Sequence, residues 1–265
     1  MKTLIASLLF ILSVQSVNAQ DFALEQLENS PRHHEWVTLE SGDKLLYNFV
    51  AYPEVSDPAP VIIVVHENRG LTDWVRSFAD QAAAAGYIAI APDLLSGFSE
   101  DYPRTSDYPT SDAARDALYN LAPDLITADL NTVYEYASGL EAAGETIVVA
   151  GFCWGGSQTF RFATNNSRID AAMVFYGSAP TEERAIQRIE APVYGFYGEN
   201  DARINSGIPA TEELMNRNDK IYDYEIYDGA GHAYMRSGDD PNGSEANKAA
   251  RAASWERLKE IMDSL

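Results

Sequence analysis

Short apolar runs recur along this chain at residues 60–65 (PVIIVV), 87–91 (YIAIA), 146–150 (TIVVA), 171–176 (AAMVFY), 193–197 (VYGFY) and 221–227 (IYDYEIY). A strand with one wet face alternates polar and apolar residues, whereas unbroken runs belong to strands covered on both faces. Between the runs, residues 74–85, 125–143, 154–163 and 244–262 carry helix formers with apolar positions near helical spacing, and Gly86 and Gly144 stand where C-caps belong. Strand and helix in regular alternation predict an α/β fold: a mostly parallel sheet flanked by helices on both faces. Residues 34–52 precede this series and read as a β-hairpin around Ser41-Gly42-Asp43. Residues 94–123, rich in Asp, Ser, Tyr and Pro, break the rhythm as an insertion with a short helix near 113–119, suited to a lid or pocket wall.

A chain of 265 residues of this class is expected to be one domain. Residues 1–19 are expected to be removed as a signal peptide, leaving residues 20–265 as that domain. Lys2, an apolar stretch at 4–12 and the small-residue pattern Val17-Asn18-Ala19 form an export leader, too short in its apolar part for the ~20 residues of a spanning helix. The expectation is an exported protein, periplasmic or secreted, with no membrane attachment after cleavage. Acidic residues number 40 against 19 basic ones, a formal charge of -21. Nucleic acid is therefore a poor partner, because binding it requires Lys and Arg to displace counterions. No ligand spacing for a metal recurs, and no G-x-G-x-x-G or G-K-[ST] loop is present, so neither metal nor cofactor is expected.

The one cysteine excludes an intramolecular disulfide. It lies in Gly151-Phe152-Cys153-Trp154-Gly155-Gly156, between an apolar run and a helical stretch. This is the G-x-S-x-G nucleophile-elbow pattern with sulfur replacing oxygen. Small neighbours suit a turn that strains and exposes its central residue, and the helix N-terminus is expected to lower the thiol pKa. A nucleophile here needs a carboxylate and then a histidine further along. Asp201 follows the run at 193–197, with Glu199 as a rival in the same loop, and His232 follows the last run. Of the other histidines, His33 and His34 are placed before the sheet, leaving His66 as the alternative base.

Together with residues 65–70 (VHENRG), 86–94 (GYIAIAPDL) and 231–236 (GHAYMR), the elbow makes the chain resemble the dienelactone hydrolases (carboxymethylenebutenolidases), α/β-hydrolases with a Cys-Asp-His triad. The resemblance runs from about Val61 to the last helix. It implies catalytic roles for Cys153, Asp201 and His232, and a Glu67 that hydrogen-bonds the resting nucleophile and helps generate the thiolate. It further implies an oxyanion hole from the backbone N–H groups of Asn68 and Trp154. Arg236, four residues after the histidine, and Arg115, paired at i, i+4 with Tyr119, would hold a substrate carboxylate. Arg69 stands where relatives tend to carry an apolar or aromatic residue, implying a more anionic or larger substrate.

The reaction expected is hydrolysis of an activated ester or enol lactone through a thioester, with a small, anionic molecule as substrate. Two rivals stand beside it: a broad exported esterase or thioesterase, and a non-catalytic binding protein on the same fold.

Overall fold

The computed structural model describes residues 21–265; the leader expected at 1–19 lies outside the described residues. The strands are β1 (His33–Ser41), β2 (Lys44–Tyr52), β3 (Ala59–Val65), β4 (Ile88–Pro92), β5 (Ala143–Phe152), β6 (Ala171–Phe175), β7 (Val193–Gly198) and β8 (Tyr222–Tyr227). They form one sheet in the order β1-β2-β4-β3-β5-β6-β7-β8. Only the β1–β2 and β2–β4 pairings are antiparallel. The helices are α1 (Asp21–Glu28), α2 (Asp73–Ala84), α3 (Ser111–Tyr119), α4 (Pro123–Gly139), α5 (Trp154–Ala163), α6 (Glu183–Ile186), α7 (Ala202–Asn205), α8 (Ile208–Arg217), α9 (Tyr234–Asp239) and α10 (Glu245–Ser264).

The apolar runs feed two cores, one on each face of the sheet. Ile62 and Val64 of β3, and Val148, Ala150 and Phe152 of β5, pack with Trp74, Phe78 and Leu258 of α2 and α10. Val61, Ile63 and Val65, with Ile147 and Val149, pack with Leu130, Val133 and Phe160 of α4 and α5. Side chains alternate across a strand, so an unbroken run supplies both cores at once. Cys153 packs against both clusters, at the seam where the sheet ends.

Helix α2 stops in a Schellman motif: Gly86 has φ +101°, its N–H donates to Ala83 O at 3.0 Å, and the Tyr87 N–H donates to Ala82 O at 3.1 Å. Gly144 does no such service. Helix α4 ends at Gly139 and Gly144 lies within β5, because the strand extends back to Ala143 to pair with Ala59.

His33 and His34 are not outside the sheet but open its edge strand β1. His34 Nε2 lies 2.7 Å from Asp80 Oδ1, and Arg32 donates to both oxygens of that carboxylate at 2.7 and 2.6 Å, fastening the edge to α2. At the other end of the hairpin, Lys44 Nζ donates to Asp129 Oδ2 of α4 at 2.6 Å and Ser41 Oγ to Oδ1 at 2.7 Å.

Strand β3 connects onward to β4 on one side, while its neighbour β5 connects to β6 on the other. Their carboxyl ends therefore flank the crevice where the winding reverses, the place where open α/β sheets collect ligands.

Candidate active site

The elbow sits at that crevice. Cys153 has φ 56° and ψ −114°, a conformation that L-residues rarely adopt, and its N–H donates to Phe175 O at 3.0 Å. The glycines around it are required by space. A Cβ on Gly156 would lie 2.6 Å from Phe175 O, and one on Gly155 would lie 2.8 Å from the Val65 carbonyl carbon, with two carbonyl oxygens nearer still. One on Gly151 would collide with the Gly155 carbonyl.

Cys153, His232 and Asp201 form a hydrogen-bonded chain. The Cys153 Sγ to His232 Nε2 distance is 3.1 Å, and His232 Nδ1 lies 2.5 Å from Asp201 Oδ2. Asp201 is buried, and its loop is tied to the histidine loop by Asn200 N–H donating to Ala230 O at 2.8 Å and by Gly229 N–H donating to Glu199 Oε2 at 2.7 Å. Glu199, the rival carboxylate, is thus occupied in holding the two loops together.

His66, the alternative base, is fully buried. Its Nε2 accepts from Leu94 N–H at 3.3 Å and its Nδ1 is 2.8 Å from Glu67 O. A nitrogen that accepts from an N–H carries no proton, so Nδ1 is the donor and the ring is neutral. Burial pushes its pKa down, against the pull of Asp93 and of its backbone bonds. Its ring stacks on Trp154 at 5.5 Å, bracing the start of α5.

Glu67 departs from the expected hydrogen bond to the resting thiol. Its Oε2 accepts instead from Arg236 Nε at 2.7 Å, while Oε1 is buried without a hydrogen-bond partner. The strong attraction between a carboxylate and a guanidinium in a half-buried place explains the preference. The Cys153 thiol is not depressed by its helix. Burial and then the Glu67 charge push it up to about 11, outweighing the Trp154 N–H and the charges of Arg203 and Arg236. The resting sulfur is therefore a thiol at neutral pH, with His232 in place to take its proton.

A cavity of about 420 Å³ opens above the sulfur, and Glu67, Asn68, Tyr119, Trp154, Arg203 and Arg236 are in its walls. A larger chamber of about 740 Å³ adjoins it, sharing Glu67, Asn68 and Arg236. Arg69 lines only the larger chamber, where it donates to Ser111 Oγ at 2.5 Å and Asp112 Oδ1 at 3.1 Å. Arg115 lines neither. It turns from Tyr119 to Asp112 and Asp116 of its own helix, at 3.1 and 3.0 Å, because two nearby carboxylates compete for the guanidinium. Among the described residues, no group of three or more His, Cys, Asp and Glu is arranged to hold a metal ion. No described helix is long and apolar enough to cross a membrane.

The model of the dienelactone hydrolase family matches residues 46–265. The chain belongs to the dienelactone hydrolase family. A Saccharolobus solfataricus protein carrying the name "Putative carboxymethylenebutenolidase" is 30% identical over 246 residues, 81% of this chain and 92% of that protein. An Escherichia coli protein of the same name is 32% identical over 197 residues, 69% of this chain and 71% of that one. A crystal structure named for a "Putative Dienelactone Hydrolase" of Klebsiella pneumoniae has a TM-score of 0.74 at 23% identity, covering 86% of this chain and 96% of that chain. That last likeness is one of fold, an α/β-hydrolase fold. Membership of the dienelactone hydrolase family makes the chain a hydrolase of small molecules.

Tyr176 and Arg203 are among the cavity residues that the sequence did not point to. Tyr176, at φ 40°, packs edge-on against the His232 ring at 5.1 Å, and its hydroxyl is buried without a partner. Arg203, on the short α7, follows Asp201 by two residues; its signal was a cation beside the loop already singled out.

Proposed function

We propose that this dienelactone hydrolase family member cleaves an activated ester or enol lactone with Cys153 as its nucleophile. The observation that carries the reading is the chain from sulfur to imidazole to buried carboxylate, at 3.1 and 2.5 Å. In the first half-reaction Sγ attacks the carbonyl carbon as its proton passes to His232. The leaving oxygen then departs with that proton, leaving a thioester. In the second, water adds as His232 takes its proton, the S–C bond breaks, and the thiol is restored. Asp201 holds the imidazole with Nε2 toward sulfur. The backbone N–H groups of Asn68 and Trp154 are the donors for the oxyanion.

Thiolate leaves more readily than an ordinary alkoxide, so a tetrahedral adduct of an alkyl ester reverts. An enolate or aryloxide leaving group goes forward. Export of the mature chain belongs to the same proposal and rests on the sequence of residues 1–19. A broader esterase gains one supporting observation, the larger chamber of about 740 Å³ beside the cavity, which has room for a bulkier substrate.

The test is hydrolysis of a dienelactone and of an aryl ester by the mature protein and by Cys153→Ala. Wild type is expected to release the leaving group in a burst at least as fast as turnover, and the variant to lose the burst and nearly all turnover. Turnover that persists in Cys153→Ala overturns the nucleophile assignment.

A further inference from the structure

The arginines near the cavity differ in what already holds them. Arg236 gives its Nε to Glu67 at 2.7 Å, so an incoming anion meets a carboxylate beside the cation. Arg69 is paired with Asp112, and Arg115 with Asp112 and Asp116. Arg203 lines the cavity with Cys153 and His232, is exposed, and takes part in no ion pair among the described residues. Among the arginines that line the two chambers, Arg203 is therefore the one whose guanidinium is not already engaged by a carboxylate among the described residues.

We propose that Arg203 recognises an anionic group on the substrate, a carboxylate on the ester or lactone, through the fork of its guanidinium. The proposal rests on the hydrolase reading for its substrate. Three further features fit it. Helix α7 starts at the loop of Asp201, so the backbone that carries the cation is placed relative to the His232 that lies against Asp201. Ile204, the next residue, is buried and lines the same cavity, which anchors the helix. And the charge of Arg203 acts on Cys153 in the sense that favours thiolate, placing it within electrostatic reach of the reacting atom. A planar fork matches a carboxylate, and an unpaired one retains all its donors for the ligand.

The experiment uses two aryl esters identical except that a carboxylate in one is a carboxamide in the other, assayed with wild type, Arg203→Gln, Arg203→Lys and Arg115→Gln. A charge-assisted contact at an exposed cation predicts a KM for the anionic ester raised about tenfold in Arg203→Gln. KM for the neutral ester should change less than about twofold, any change in kcat through the charge on the sulfur should be shared equally by the two esters, and Arg203→Lys should fall between. A second readout needs no hydrolysis: the rate of Cys153 alkylation by iodoacetate relative to iodoacetamide. In each case sulfur displaces iodide and forms an S–C bond, but only iodoacetate carries the charge. Arg203→Gln should lower that ratio about tenfold and Arg115→Gln should leave it unchanged. If neither ester is cleaved yet the alkylation ratio falls, the hydrolase reading fails and the anion site stands. An unchanged alkylation ratio in Arg203→Gln, or a fall in Arg115→Gln instead, overturns the proposal.

Discussion

Gly198, at the end of β7, is where the Asp201 loop and the His232 loop pass closest. A Cβ built on it would lie 2.7 Å from both Ala230 O and Gly231 O, two backbone atoms that cannot swing aside. Ordinary contact begins near 3.4 Å, so Gly198→Ala must drive the loops apart by about 0.7 Å. If the carboxylate and the imidazole take up that motion, their 2.5 Å bond lengthens to about 3.2 Å. The bond then survives at ordinary length, but its charge-assisted strength and its hold on the ring weaken. A loss of about 1.4 kcal/mol in transition-state stabilisation corresponds to a tenfold fall in kcat/KM. Overpacking should also cost about 1–3 kcal/mol of stability, a Tm lower by about 2–4 °C per kcal/mol at this size. Gly144→Ala is the control, since its nearest neighbour would be at 3.5 Å, an ordinary contact. Steady-state kinetics on an aryl ester together with urea unfolding measure both effects. Wild-type kcat/KM in a destabilised Gly198→Ala would refute the argument that this glycine protects the carboxylate–imidazole geometry. Equal losses in Gly144→Ala would reduce the effect to loss of glycine as such.

Two titrations follow from the structure. In His232→Ala the imidazole 3.1 Å from the sulfur is removed, so the pH profile of iodoacetamide alkylation should have its midpoint above the ordinary 9.0 and toward about 11, as burial dictates; a midpoint at or below 9.0 would contradict this. The same raised pKa means that the native state keeps a proton the unfolded chain loses, so this group's contribution to stability is intact below 9.0 and disappears as pH rises through about 11. At the acid end, burial by itself would raise the Asp80 carboxyl, but hydrogen bonds from Arg32, Ser30 and His34, with the Arg32 charge, hold it below its ordinary value. Its contribution is therefore complete above 3.8 and is lost as pH falls through the lower native value. Asp80→Asn should lose about 1–3 kcal/mol at neutral pH and flatten the acid limb of a stability–pH curve. An unchanged acid limb would mean that the edge of the sheet is held by something else.

The sheet was legible because burial on both faces demands uninterrupted apolar residues, as in β3 to β7; the sixth run also became a strand, β8, but as a largely exposed edge strand interrupted by Asp223 and Glu225. Helices α1, α6, α7, α8 and α9 were not. They are short or strongly polar, and packing against the rest of the domain stabilises them more than propensity does. Residues 140–143 read as helix because alanine favours helix, yet the Ala59–Ala143 pairing draws the last of them into β5. At the site, chain order after the elbow singled out Asp201 and His232, and the structure brings both into one hydrogen-bonded chain with Cys153. Spacing could not say which way Arg115 turns. Asp112 at i−3 and Asp116 at i+1 draw the guanidinium along its own helix and away from Tyr119. The thiol pKa was misread for a related reason: a helix N-terminus is visible in a sequence, but the depth at which a cysteine is buried is not.

Cys153 touches the cores on both faces of the sheet, which otherwise do not mix. The sulfur is therefore a gauge at the joint of two packed halves. Phe78 belongs to one of these cores and Val133 to the other, so a cavity opened at either falls in packing that Cys153 borders. A melting curve averages over the molecule, whereas alkylation of this one thiol is a measurement made at the border of both cores.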